Sequence, residues 1–409
     1  VTTTLTPTLT PTPTRSGGRS SRFSAGSPRQ NSGRNTDPGE NPDTVVHPDT
    51  GGGPGAGGTG RPDGIDTEAL GRELDALRAE VLASLGAPDA AYIRRLIRIQ
   101  RRLDLAGRAA LVVGVFPPAW VAGVGLLAAA KILENMEIGH NVMHGQWDWL
   151  RDPEIHSTTW EWDTVCPAPQ WRHSHNHLHH QWTNVIGRDR DIGYGVLRMD
   201  AHQPWRPWNL AQPVIFATLA LLFEYGVGFH DLDSERPHDQ PVTFEALRPK
   251  LRQTLGKIRR QVLKDYVAFP ALSLPFGPGG VIAAATGALA ANVIRNVWSF
   301  TVIFCGHFPD GVAYLDPAEA EHETRGEWYL RQIRGSANFE GGSLMNIASG
   351  NLNHQIEHHL FPDLPSNRYA QIAPRVREIC ERHGVGYNTG SLARQFRTVV
   401  RKVLRLTFP

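Results

Sequence analysis

Eleven of the 18 histidines fall in four short windows, at residues 140–144, 173–180, 307 and 354–359. In GHNVMHGQ, His140 and His144 stand four residues apart, a spacing that places both imidazoles on one helix face, where they can share a metal ion. WRHSHNHLHHQWTN repeats that spacing at His175 and His179 and adds His180, which can reach a second ion. NHQIEHHLFPDLP offers the same geometry through His354, His358 and His359. A single pair of this kind is more often surface or core than ligand. Three such clusters beside apolar helices, two of them ending in His-His, point to metal.

The cysteines Cys166, Cys305 and Cys380 are too few and too scattered for a disulfide framework or a thiolate site, so the metal must take nitrogen or oxygen ligands. Imidazoles suit zinc, copper, nickel or iron. At least eight candidate ligands fit two ions with open positions better than one closed structural site. Neutral imidazoles around two ferrous ions support oxygen-dependent removal of hydrogen from an unactivated C–H bond, which requires that water be excluded.

The elements that must position these histidines are apolar. No charged residue lies between Arg108 and Lys131, or between Asp265 and Arg295, and each run is long enough to cross a bilayer. Pro117-Pro118 interrupts the first run and the Pro275–Gly280 stretch the second, so each reads as a helical hairpin with arms at about 103–116 and 119–139, then 262–275 and 281–305. Pro207–Phe223 reads as an interfacial helix, which keeps the basic linker at Arg248–Arg260 on the side of the histidines. The expected fold is thus an all-α integral membrane protein, with four transmembrane helices in two hairpins and a cytoplasmic helical cap carrying the metals.

Residues 1–66, rich in Thr, Pro, Ser and Gly, read as a disordered tail. Residues 67–102 form an amphipathic, basic lead-in whose YIRRLIRIQRR stretch suits an anionic membrane surface; 103–390 is the membrane domain and 391–409 a basic C-terminal helix. A net charge of +2 without a basic block excludes nucleic acid.

In combination, the three boxes resemble the membrane fatty acid desaturase family over roughly residues 90–390, and GNLNHQIEHHLFPDLP resembles the third box of its front-end branch. The resemblance implies two iron ions held by His140, His144, His175, His179, His180, His358 and His359. His307, in FCGHFP, resembles the family's additional histidine and is expected to be a ligand or an interfacial hydrogen-bonding residue. Position 355 holds Gln where many members have histidine, so Gln355 or His354 completes the third box. His173 and His177 fall off the matched positions and are expected in the second shell or facing solvent. Among the acidic residues near the boxes, Glu137, Asp189, Asp191 and Glu357 could ligate or orient imidazoles. Trp147, Trp149 and Trp171 could line an acyl tunnel or form an interfacial belt.

The activity implied is oxygen-dependent introduction of a double bond into a fatty acyl-CoA or acyl-lipid. His47-Pro-Asp lacks the haem motif of a fused cytochrome b5 domain, so electrons must come from a separate ferredoxin or flavin-linked reductase. A lipid or carotenoid hydroxylase would use the same site. A non-catalytic metal-binding membrane protein would place ligands inside the spans, which are nearly free of ionisable groups. No His-Glu-x-x-His is present to support zinc hydrolysis.

Overall fold

A computed structural model describes residues 64–233 and 243–409, all within one compact unit, so the tail expected at residues 1–66 lies, up to residue 63, outside the described residues. Helix α1 (Thr67–Ala83) begins where the Asp66 carboxylate accepts from the Ala69 N–H at 3.0 Å, meeting one of the four unpaired donors of a helix start. Helix α2 (Ala87–Val112) ends at the turn before Pro117-Pro118, whose fixed φ and missing N–H suit the first turn of α3 (Pro117–Ile132). The helix continues through a π-helical segment, Leu133–His140, and a last turn, Asn141–Met143.

Helices α4 (Gln212–Leu221) and α5 (Phe223–His230) meet at Leu222 with a 99° bend. Helix α6 (Phe244–Leu263) runs on through a π-helical segment, Lys264–Ala268, before the chain reverses at Leu274–Phe276 and enters the 31-residue α7 (Gly277–His307). Gly277, at φ 71°, takes a left-handed turn that suits glycine. The rest comprises α8 (Arg325–Arg334), β1 (Asn338–Glu340), α9 (Ser343–Ser349), α10 (Gln355–Leu360), α11 (Tyr369–Arg382), β2 (Thr389–Ser391) and α12 (Leu392–Arg405). Strands β1 and β2 pair in parallel, a small sheet that an all-α reading does not contain.

Both reversals fall at the expected prolines. Of the four expected spans, however, only the helix Leu274–His307 is long and apolar enough by itself among the described residues. The first half of α2 carries arginines, and α3 has 16 residues before its π-helical continuation. The lead-in also differs from expectation. Leu70, Leu74, Leu77 and Val81 of α1 are buried with Trp328, Tyr329, Ile356 and Leu360, while Ile93, Leu96 and Ile97 of α2 pack with Ile138, Val142 and Trp147. The apolar face there is packed inside the protein, while Arg94, Arg95, Arg98, Arg101 and Arg102 of α2 stay exposed.

Three of the four charges that bound the uncharged runs meet one another, and the fourth, Arg295, has a partner on α5. Asp265 accepts from Arg108 Nη1 at 3.1 Å, from Lys131 Nζ at 2.8 Å and from Asn292 Nδ2 at 3.2 Å, joining α2, α3 and α7 to the helical run after α6. Arg295 pairs with Glu224 of α5 at 2.7 Å. Removing one partner of a buried pair leaves the other uncompensated, at a cost of about 3–5 kcal/mol. Arg108 also reaches Asp104 at 3.0 Å and Lys131 also reaches Asp163 at 3.3 Å, so Asp265→Ala leaves each cation one partner and is expected to destabilise the fold by less than that amount, read as a lowered thermal midpoint in detergent.

Candidate metal centre

Two of the three π-helical segments carry histidine boxes. Leu133–His140 ends on the first ligand candidate of box one, and Arg172–His179 holds His175 and His179 of box two. The i→i+5 turn is wider than an α-turn and re-aims side chains relative to the flanking helix, which is why such segments recur at functional sites. Box three is pressed onto box one by Gly350. At φ 72° it lies so close to Met136 that an added Cβ would fall 2.3 Å from the Met136 carbonyl oxygen. Its own carbonyl accepts from Asn141 Nδ2 at 3.1 Å.

The boxes converge in one buried cluster. Donor atoms of His140, His144, His175 and His358 lie within 4.8 Å of one another, as do those of His179, His307 and His359. His180 stands between the two groups, its ring 4.7 Å from that of His144 and stacked at 4.4 Å on that of His359. Gln355 Nε2 is 3.0 Å from His307 Nε2, in space left by Gly306, where a Cβ would fall 2.9 Å from the Gln355 side chain.

Hydrogen bonds on the far sides of the rings fix several tautomers. Asn141 Nδ2 donates to the Glu137 and Gly350 carbonyls, so its Oδ1 faces His140 Nδ1 at 3.1 Å and that nitrogen must carry the proton. Gln332 Nε2 donates to the His180 carbonyl, so its Oε1 accepts from His359 Nδ1 at 3.0 Å. The Tyr369 hydroxyl donates to the Phe361 carbonyl and so accepts from His358 Nδ1 at 3.4 Å. Asp189 accepts from His179 Nδ1 at 3.1 Å and is held in place by the backbone N–H groups of Asn184 and Asp191. In all four histidines, Nε2 keeps its lone pair.

In three of them, His179, His358 and His359, that Nε2 has no protein partner. Nε2 of His175, His179, His358 and His359, both ring nitrogens of His144 and His180, Nδ1 of His307 and Oε1 of Gln355 are buried without a hydrogen bond. An unsatisfied buried polar atom costs about 1–3 kcal/mol, so a fold that gathers so many in one place is built for something that binds them. Burial pushes the His140 pKa down to about 3, and burial with neighbouring imidazoles holds His144, His180, His307, His358 and His359 well below the usual histidine range. These imidazoles are neutral at physiological pH, the form that ligates. Burial also disfavours the charged form of His179, but the Asp189 and Asp191 carboxylates outweigh it and raise the pKa. The donor set fits two metal ions side by side.

Of the other candidates only Asp191 reaches the ligand histidines, with an oxygen within 4.8 Å of donor atoms of both His175 and His179. The His173 and His177 rings lie 5.8 Å apart and join neither group. His354 Nδ1 is 4.0 Å from Glu357, and His354 also joins neither group. Glu137 accepts from Tyr92, Asn351 and Ser366, and Glu357 from Asn338 and Tyr387; each ties box segments together without reaching an imidazole of either group. Asp191 stands 3.5 Å from His175 Nδ1 and 3.7 Å from His179 Nδ1, and accepts from His230 Nε2 at 2.9 Å. Isolated in sequence, His230 carries no spacing signal. Asn141, Gln332 and Tyr369 likewise gain their roles only from the fold.

A cavity with about 620 Å³ of empty space, counted to its open mouth, adjoins the cluster and is lined by His140, His175, Trp171, Met136, Val227 and Ile303 among others. Trp171 stacks on His175 at 4.4 Å. Trp147 and Trp149 do not line the cavity: the first is fully buried in the α2 packing and the second is half-exposed.

A buried, nitrogen-rich donor cluster that fits two metal ions, beside a largely apolar cavity, is the arrangement expected of a lipid-modifying metalloenzyme of the histidine-box class. The profile of the fatty acid desaturase family matches residues 92–391. The chain is 49% identical over 348 residues to the NADPH-dependent stearoyl-CoA 9-desaturase of Mycobacterium tuberculosis, covering 84% of this chain and 81% of that one. It is 28% identical over 327 residues to the sn-1 linoleoyl-lipid 6-desaturase of a Synechocystis species, covering 78% and 88%. The chain belongs to the fatty acid desaturase family, and is an oxidoreductase that acts on fatty acyl chains.

Outer partners of metal-bound histidines typically govern affinity about 10–100-fold. Asp189→Ala is expected to weaken metal retention by that factor while His177→Ala leaves it unchanged, as measured by metal content after dialysis against graded chelator.

Proposed function

We propose that this chain introduces a double bond into a saturated fatty acyl thioester, using molecular oxygen and two iron ions. The observation that carries this reading is the cluster of buried, unpartnered imidazole nitrogens that adjoins, through His140 and His175, a largely apolar cavity. His140, His144, His175 and His358 would hold one ion; His179, His307, His359 and Gln355 the other; His180 lies between them. Gln355 is preferred over His354 because it meets His307, whereas His354 points toward Glu357. Two irons in this setting supply oxygen activation and hydrogen abstraction from adjacent methylenes. The chain's own residues do the rest. Asp189, Gln332, Tyr369 and Asn141 keep the protons on Nδ1, the cavity walls hold the alkyl chain against His140 and His175, and burial excludes water.

The relative at 49% identity supports stearoyl-CoA as the substrate and the 9-position as the site of the bond, over the front-end positions suggested by the third box. That relative's dependence on NADPH supports a separate NADPH-fed reductase as electron donor. Residues 103–390 would form the membrane domain, with both hairpins inserted. Exposed Val115, Phe116 and Val121 on one and Leu272, Leu274 and Ile282 on the other suit lipid contact. The histidines would face the cytoplasm, on the side of the basic residues of α6.

The test is product analysis by mass spectrometry, with double-bond localisation, in a host expressing the chain with an NADPH-dependent reductase. A 9-unsaturated acyl chain is expected, abolished by His358→Ala and by His359→Ala; a hydroxylated product would contradict desaturation. In the same assay, Gln355→Ala is expected to lower product about 10–100-fold while His354→Ala retains most of it.

A further inference from the structure

Three helices carry cavity-lining residues away from the metal cluster in step. Along α7, Ile303 and then Ser299 line the cavity, and Ser299 lies eight residues from His307, about 12 Å of helix rise. Along α5 the lining residues run from His230 through Val227 to Glu224, six residues or about 9 Å. Before the first box they are His140, Met136 and Asn135. The first and third paths end on polar side chains, and on α5 the polar Glu224 stands beside the last lining residue, Phe223.

Asn135 and Ser299 are bonded to each other, and Glu224 is bonded to Arg295 of α7. Asn135 Oδ1 accepts from Ser299 Oγ at 3.1 Å, joining the π-helical segment to α7. Glu224 pairs with Arg295 at 2.7 Å, joining α5 to α7 one turn beyond Ser299. Asn296 Nδ2 donates to the Leu221 carbonyl at 2.9 Å, pinning the α4–α5 bend to the same level. Arg295 is 1% exposed, and its Nε and Nη1 have no partner, so the ion pair is its principal compensation.

We infer that Asn135, Ser299 and the Glu224–Arg295 pair form a polar end wall that sets how much acyl chain fits beyond the reacting carbons. The inference rests on the acyl-desaturase reading above. A wall of leucines can repack around an extra methylene. An ion pair in a buried setting does not yield in that way, because displacing either member leaves a charge uncompensated. An alkyl end has nothing to offer Glu224 or Arg295 in exchange, so the chain stops there.

The test compares kcat/KM for palmitoyl-, stearoyl- and arachidoyl-CoA in membranes containing the full-length enzyme and its reductase. The double variant Glu224→Ala/Arg295→Met removes both charges together and lengthens the cavity. Its arachidoyl-to-stearoyl ratio is expected to rise at least about tenfold, the discrimination that methylene-sized changes in a pocket produce. Ser299→Leu fills the end and is expected to raise the palmitoyl-to-stearoyl ratio; it decides the matter alone if the double variant does not accumulate. Desaturating variants with both ratios unchanged would overturn the wall. An unmodified enzyme that desaturates none of the three would instead overturn the acyl-CoA desaturase reading, and the wall with it.

Discussion

Everything in this molecule serves one constraint: a set of buried imidazole nitrogens must be held with lone pairs inward and no water to satisfy them. Each such atom is unfavourable until something binds it, so the surrounding structure has to fix ring orientation and proton position. Asn141, Gln332, Tyr369 and Asp189 do this from four different elements, each with its own orientation set by a further hydrogen bond. The two π-helical turns aim boxes one and two, and the left-handed Gly350 lets box three close on them. Because each orienting group is locked from behind, small losses at a distance should loosen the metals.

The same constraint explains where charge sits. Hydrogen abstraction from an alkyl chain needs a dry, largely apolar cavity against the cluster, yet ionisable residues lie deep among the helices around it. Each is held against opposite charge. Asp265 collects Arg108 and Lys131, and Glu224 takes Arg295. These pairs draw the hairpin helices together at fixed heights, and the second of them stands at the end of the cavity.

The histidine boxes were legible in the sequence because metal ligation imposes residue type and short spacing at once. His140, His144, His175, His179, His180, His358 and His359 are brought together, and His307, 48 residues ahead of Gln355, joins them. The hairpin turns were legible through Pro117-Pro118 and the Pro275–Gly280 stretch, because proline and glycine act locally on the backbone. What acts over long sequence distances was not legible. His230 meets Asp191 across 39 residues and Gln332 meets His359 across 27, with no spacing rule to connect them. The packing of the lead-in was not legible: an amphipathic helix has the same pattern whether its apolar face covers lipid or the protein's own core, and here the apolar faces of α1 and α2 cover the core. The tryptophans were ambiguous in the same way, since Trp147 and Trp171 are alike in sequence context and only Trp171 reaches the cavity.

The central claim is that the cluster holds two iron ions in nitrogen-rich surroundings. The most direct measurement is metal analysis of the purified chain together with Mössbauer spectroscopy of ⁵⁷Fe-enriched protein. Two irons per chain, with parameters of high-spin ferrous ions in nitrogen and oxygen ligation after reduction, is the result this account predicts. A single ion per chain, or stoichiometric zinc that iron does not replace, would contradict it.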